Sequence, residues 1–138
     1  MDLDLAGRRA LVTGGSRGIG KAAVSTGSVI GSIRNVAVSA MTKNLADELG
    51  PSGVNVNAVH PGLTRTEATP GVVAAQADAA GVAPAEIERR MARRNLTRML
   101  IDASQVAAVI TFLASPLAVS VNGESIACGG GTPGVIRC

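Results

Sequence analysis

Thr13 to Gly20 reads TGGSRGIG, and its residue types and spacing are those of a loop that cradles phosphate. Gly14 can take the positive φ of a tight turn, and Gly18 lets the backbone approach a pyrophosphate with no Cβ in the way. Gly20 lets a following helix pack closely on the preceding strand, while that helix turns its free N–H groups and positive end toward the anion. Ser16, Arg17 and Ile19 complete the loop and are counted with Gly14, Gly18 and Gly20 as candidate cofactor-binding residues. The plainer alternative is a glycine-rich turn between a strand and a helix. What decides between the two is context, because strand, glycine loop and helix in succession define a dinucleotide site.

The flanking elements supply that context at first. Arg9-Ala10-Leu11-Val12 is a short apolar run suited to a buried strand, and Lys21-Ala22-Ala23 can begin a helix. That helix then meets Val24-Ser25-Thr26-Gly27-Ser28 after barely one turn, where a dinucleotide unit normally runs three turns and feeds a second strand. No acidic residue stands about 20 positions on to hold a ribose; Asn35 and Val36 occupy the place. Asn35 is expected to cap a helix over Val36–Leu49, with Val38, Met41, Leu45 and Leu49 on one face and Thr42, Lys43, Asp47 and Glu48 off it. Gly50-Pro51 stops it, with Gly50 as the cap. Val54 to Val59 alternates with period two and predicts a strand ending at His60-Pro61-Gly62. Further on, Pro84 opens a helix with Glu86 and Glu88 in its first turn, and Glu86 reaches Arg90 at i+4. Asp102 to Gln105 forms a capping box before the stripe Val106, Val109, Ile110 and Leu113, which ends at Ser115-Pro116. Ser125 to Cys128 predicts the last strand.

Composition narrows the function classes. A chain of 138 residues suffices for one domain, and a 46% hydrophobic fraction is that of a globular protein. No apolar run approaches the ~20 residues of a membrane span, and MDLDLAG lacks the cationic start of a secretory signal, so a cytoplasmic location is expected. Cys128 and Cys138 make no metal-ligand pattern, and a disulfide between them is not expected. Arg89, Arg90, Arg93, Arg94 and Arg98 raise the question of nucleic acid, but the chain has no Tyr, no Trp and only Phe112 on which a base could stack. A solvated helix end, favoured by the helix dipole, is the preferred reading of these arginines, and no nucleic-acid partner is expected.

Glycines at 14, 18 and 20 after Thr13, with Ile19 between the last two, resemble the short-chain dehydrogenase/reductase family. So does TKNLADELGPSGVNVNAVHPGLTRTE, which is similar to the family's active-site helix, sixth strand and following loop. The resemblance implies that Pro61, Gly62 and Thr66, matching PGxxxT, touch the nicotinamide carboxamide. It also implies NADP(H) rather than NAD(H), because Arg17 occupies the position whose basic residue accompanies that choice, and a guanidinium there can pair with a 2′-phosphate. Gly71 to Arg98 corresponds to the family's variable substrate-covering region. The implied fold class is α/β, a Rossmann-like parallel sheet with flanking helices, truncated to about three strands. Residues 1–138 then form a single incomplete domain, in which 1–23 match the family's start and about 28 to 138 its second half. Roughly 100 residues of βαβ structure would be missing between the two.

The family's chemistry is hydride transfer at C4 of nicotinamide, assisted by a Tyr, a Lys four residues later and a Ser thirteen residues earlier. A phenol titrates near 10, so it serves as a base near neutrality only when a close ammonium favours the phenolate. Alignment through Thr42 to Ala46 puts Gly31 and Asn35, or Ile30 and Arg34 one register away, at the Tyr and Lys positions, and Arg17 at the Ser position. The catalytic set is therefore none. His60, the one histidine, is the surviving acid–base candidate, although a turn histidine is the preferred reading. What is expected is a catalytically impaired relative acting toward small carbonyls or alcohols and binding NADP(H) weakly. The alternatives are a non-catalytic nucleotide-binding or oligomerising remnant, associating through the 36–49 helix, or a non-functional deletion product.

Overall fold

The structure is a computed structural model, and it describes residues 2–9 and 29–133. The whole glycine loop, with Gly14, Ser16, Arg17, Gly18, Ile19 and Gly20, lies outside the described residues, as do Ala10 to Val12 of the expected first strand and Cys138.

Helix α1 spans Val29–Leu49, beginning seven residues before the expected start. Asn35 sits inside it and is no cap. Nothing from Ile30 to Arg34 other than Gly31 opposes helix, and one interior glycine costs only ~1 kcal/mol against alanine. The stop at Leu49 is as expected, but its mechanism differs. Gly50–Ser52 forms a 3-10 turn, and the left-handed glycine is Gly53, at φ 75°, whose N–H donates to Gly50 O. The packed face of α1 also differs from the apolar stripe. Thr42 and Ala46 are buried, whereas Val38 and Met41 are exposed. The helix meets its neighbours through small side chains: Ser39 Oγ lies 3.0 Å from Ser125 Oγ, and Thr42 satisfies its hydroxyl on Val38 O at 2.8 Å. Small residues let the helix approach the strands closely, and the larger apolar groups flank the contact.

The strands are short and all pair in parallel. Strand β1, Ala58–His60, lies beside β4, Ser125–Ala127, in the register Ala58–Ser125, Val59–Ile126 and His60–Ala127. Strand β2, Thr64–Arg65, lies beside β3, Ile101–Asp102. The strand expected from Val54 begins only at Ala58, because asparagine side chains occupy the ladder before it. Asn122 Oδ1 accepts the Val56 N–H at 2.7 Å, Asn57 Nδ2 donates to Val121 O at 2.9 Å, and Asn57 Oδ1 accepts the Glu124 N–H at 3.1 Å. Asn55 Nδ2 reaches Ala118 O at 3.1 Å. These amides tie the segment to 118–124 without forming a regular strand.

Helices α2, Thr69–Ala80, and α3, Pro84–Ala92, make a hairpin around Val73, Ala77 and Ile87, with Val82 and Met91 packed against them. Gly81 turns the corner at φ 63°. Helix α4, Ala103–Leu113, starts from the expected capping box, in which Gln105 Oε1 accepts the Asp102 N–H at 2.8 Å. The fold class is α/β, as the sequence implies, with a thin core: among the described residues no large side chain is fully buried. No helix among them is long and apolar enough to cross a membrane.

Candidate active-site loop

The loop from Pro61 to Thr66 leaves the carboxyl end of β1, the end of a parallel strand at which open α/β sheets bind their ligands. Its position is set by the chain beside it. Cys128 donates its N–H to His60 O at 2.9 Å and continues the ladder past β4. Beyond that bond the two chains cross at Gly62 and Gly129. A Cβ on Gly62 would lie 2.7 Å from Gly129 Cα, and one on Gly129 would lie 2.6 Å from Gly62 N and Cα. Both positions need glycine for the approach of one backbone to the other.

The glycine turn after β4 is held in place in its own right. Gly130 and Gly131 have φ of 75° and 79°, and their carbonyls accept the N–H groups of Thr97 and Leu96, each at 3.1 Å. On the other side, Thr64 Oγ1 donates to Gly62 O at 3.1 Å, and Thr64-Arg65 then pairs as β2. Thr66 ends the loop with an exposed side chain. Its N–H donates to Thr69 Oγ1 at 2.8 Å, and Thr66 O accepts the Thr69 N–H at 3.0 Å, so the loop runs straight into α2.

Pro61 and Gly62 are thus brought half-buried to the strand end, with Thr66 exposed at the far side of the same loop. His60 is half-buried at the last position of β1, and its carbonyl belongs to the ladder. Burial pushes the Cys128 thiol above its ordinary pKa, so the thiol beside the loop is kept in its neutral form. Two residues that shape the site stand outside the candidate set: Gly129, signalled by the run Gly129-Gly130-Gly131, and Asn57, which carries no distinctive signal. Among the described residues no group of three His, Cys, Asp or Glu side chains is placed to hold a metal ion.

A family model described as enoyl-(acyl carrier protein) reductase matches residues 10–132. Over 101 residues the chain is 31% identical to mouse dehydrogenase/reductase SDR family member 4, covering 73% of this chain and 33% of that protein. The chain belongs to the short-chain dehydrogenase/reductase family. It spans about a third of the length of the curated relatives it matches. The fold is likewise that of the family. The L-sorbose reductase of Gluconobacter frateurii, solved with NADPH and L-sorbose, superposes on 86% of this chain and 46% of its own, with a TM-score of 0.72 at 20% identity. YwfH, an NADPH dependent reductase involved in bacilysin biosynthesis, covers 77% of this chain and 40% of its own at 26% identity and a TM-score of 0.64.

The loop occupies the position at which open α/β sheets bind their ligands. It stands at the carboxyl end of β1 and presents the Thr66 side chain to solvent, while the missing Cβ of Gly62 serves the crossing with Gly129 and not a ligand.

Proposed function

We propose that this chain is a short-chain dehydrogenase/reductase that binds a nicotinamide dinucleotide but is impaired in hydride transfer. The observation that carries the reading is the absence of tyrosine from the whole chain. Bound nicotinamide supplies a hydride donor or acceptor at C4, and the family's proton comes from a phenol that this chain does not have. In this reading Pro61, Gly62 and Thr66 hold the nicotinamide end, and Gly14, Ser16, Gly18, Ile19 and Gly20 hold the pyrophosphate. Arg17 faces the 2′-phosphate and sets a preference for NADP(H) over NAD(H). The similarity to YwfH, itself an NADPH dependent reductase, supports that preference. The substrate class is a small carbonyl or alcohol. Self-association through Val36 to Leu49 is supported by the exposure of Val36 (70%) and Met41 (56%).

Calorimetric titration tests the reading. NADPH is expected to bind with a Kd on the order of 100 μM, or about 5.5 kcal/mol, and Arg17→Ala is expected to narrow the margin over NADH. No NADPH is consumed with a panel of aldehydes and ketones. A submicromolar Kd contradicts the weak-binding reading, and turnover by the unmodified chain contradicts the impairment.

A further inference from the structure

Apart from the nicotinamide loop, the end of α3 gathers guanidinium groups around a concave surface. Arg89, Ala92, Arg93 and Arg98 line a depression of about 330 Å3, with Ala92 between the three arginines. Arg89 and Arg93 are four apart and share a helix face. Arg98 comes from the turn beyond the helix and is brought back by its own side chain, whose Nη1 donates to Arg93 O at 2.8 Å. That placement holds Arg98 at φ 56°, a left-handed conformation that a side chain ordinarily avoids.

The charge there is incompletely answered. Glu86 serves Arg89 through Nε at 3.0 Å and Nη2 at 2.8 Å, and serves Arg90 at 3.0 Å. Glu88 is turned to Arg65 at 3.3 Å. Among the described residues neither Arg93 nor Arg98 has a carboxylate within ion-pair distance. Nη1 of Arg89 stays outside its fork on Glu86, and Arg98 keeps the donors not given to Arg93 O. Three cations converging on one concavity repel unless an anion joins them, and planar guanidinium forks match the oxygens of a phosphate. Stacking partners for bases are missing, since the chain has a single aromatic residue, so the fit is to the phosphate itself.

The geometry points to an anion site at Arg89, Arg93 and Arg98 that takes a phosphate monoester. The ester comes from a small soluble molecule or from a lipid headgroup, and Leu96 and Met99, both exposed in the same turn, favour neither by themselves. The full chain is titrated with glycerol 3-phosphate, and separately with phosphatidylcholine vesicles with and without about one part in five phosphatidic acid. Saturable binding is expected in at least one arm, with tighter binding to the phosphatidic acid vesicles assigning the lipid source. Arg93→Gln and Arg98→Gly are each expected to weaken it at least about tenfold, while Arg94→Gln leaves it unchanged. Arg98→Gly also relieves the left-handed backbone, so its melting temperature is not lowered and the loss of binding is not a loss of fold. Binding that is equally strong in Arg93→Gln or Arg98→Gly, or no saturable binding below about 10 mM in either arm, overturns the inference.

Discussion

Gly62 and Gly129 cross so closely that neither can carry a side chain: a Cβ on either would stand 2.6–2.7 Å from the other's backbone. Backbone cannot swing aside as a long side chain can. Gly129→Ala is therefore expected to destabilise the fold by about 2 kcal/mol or more, at the upper part of the range for overpacking. Gly71→Ala, whose Cβ meets nothing within 4 Å, is the control and should change little. Urea denaturation of the two variants checks the contrast.

Asn57 holds two strands of chain with one amide, donating to Val121 O and accepting from Glu124 N. Asn57→Ala removes both bonds, but Asn55 Nδ2 still reaches Val121 O at 3.3 Å and the Glu124 N–H is exposed to water. A loss of about 0.5–1.5 kcal/mol is expected, whereas Asn44→Ala on the exposed side of α1 should cost a few tenths. The same denaturation series measures both.

Cys128 has its thiol pKa raised by burial. A group whose folded pKa is raised contributes its stability in full below the unfolded value, and that contribution falls as pH climbs through the folded one. In a Cys138→Ser background, alkylation of Cys128 by iodoacetamide should be slower than that of a free thiol at pH 8, with its midpoint above the ordinary value near 8.5. The fold should lose stability above that range. An alkylation midpoint at or below that of a free thiol refutes this.

Replacing Gly31→Tyr and Asn35→Lys together is expected to produce no carbonyl reductase activity. The two positions lie one turn apart on α1, but the family's Ser position falls within the glycine loop, on Arg17. An NADPH-consumption assay with the double variant decides it.

The thin core sets the expected melt. Val36, Met41, Val54, Leu96, Met99, Leu117 and Val119 are all exposed, and the buried set consists mostly of small residues. Unfolding is expected to be broad, with binding of an apolar dye before the transition and concentration-dependent association. A sharp transition above roughly 60 °C from a monomer would contradict this.

Features governed by local rules could be read in the sequence. Pro84 with Glu86 announces α3, and the ion pairs of Glu86 with Arg89 and Arg90 hold that carboxyl below its usual pKa. Asp102 and Gln105 announce α4. Features that depend on a distant partner could not. Two-residue strands such as β2 and β3 have no period to detect, and Asn57 reads as a strand residue until Val121 and Glu124 are seen to take its amide. By its type and spacing Thr42 reads as polar and off the packed face. It is buried because its hydroxyl bonds Val38 O within the same helix, so the burial leaves no donor unmatched. Of the site, Pro61, Gly62 and Thr66 were legible as a loop following a strand, while the crossing with Gly129 depends on the parallel pairing of β1 with β4.

That pairing has a consequence for synthesis. The amide of Asn57 and the ladder that follows it wait for partners 67 positions further along the chain. At about 5–20 residues per second, a ribosome takes roughly 3–13 s to make them. Once the nascent 58–60 segment has cleared the exit tunnel it waits out the rest of that interval with its edge toward β4 bare, and a message cut before Ser125 yields a polypeptide in which β1 never acquires the neighbour it has in the finished fold.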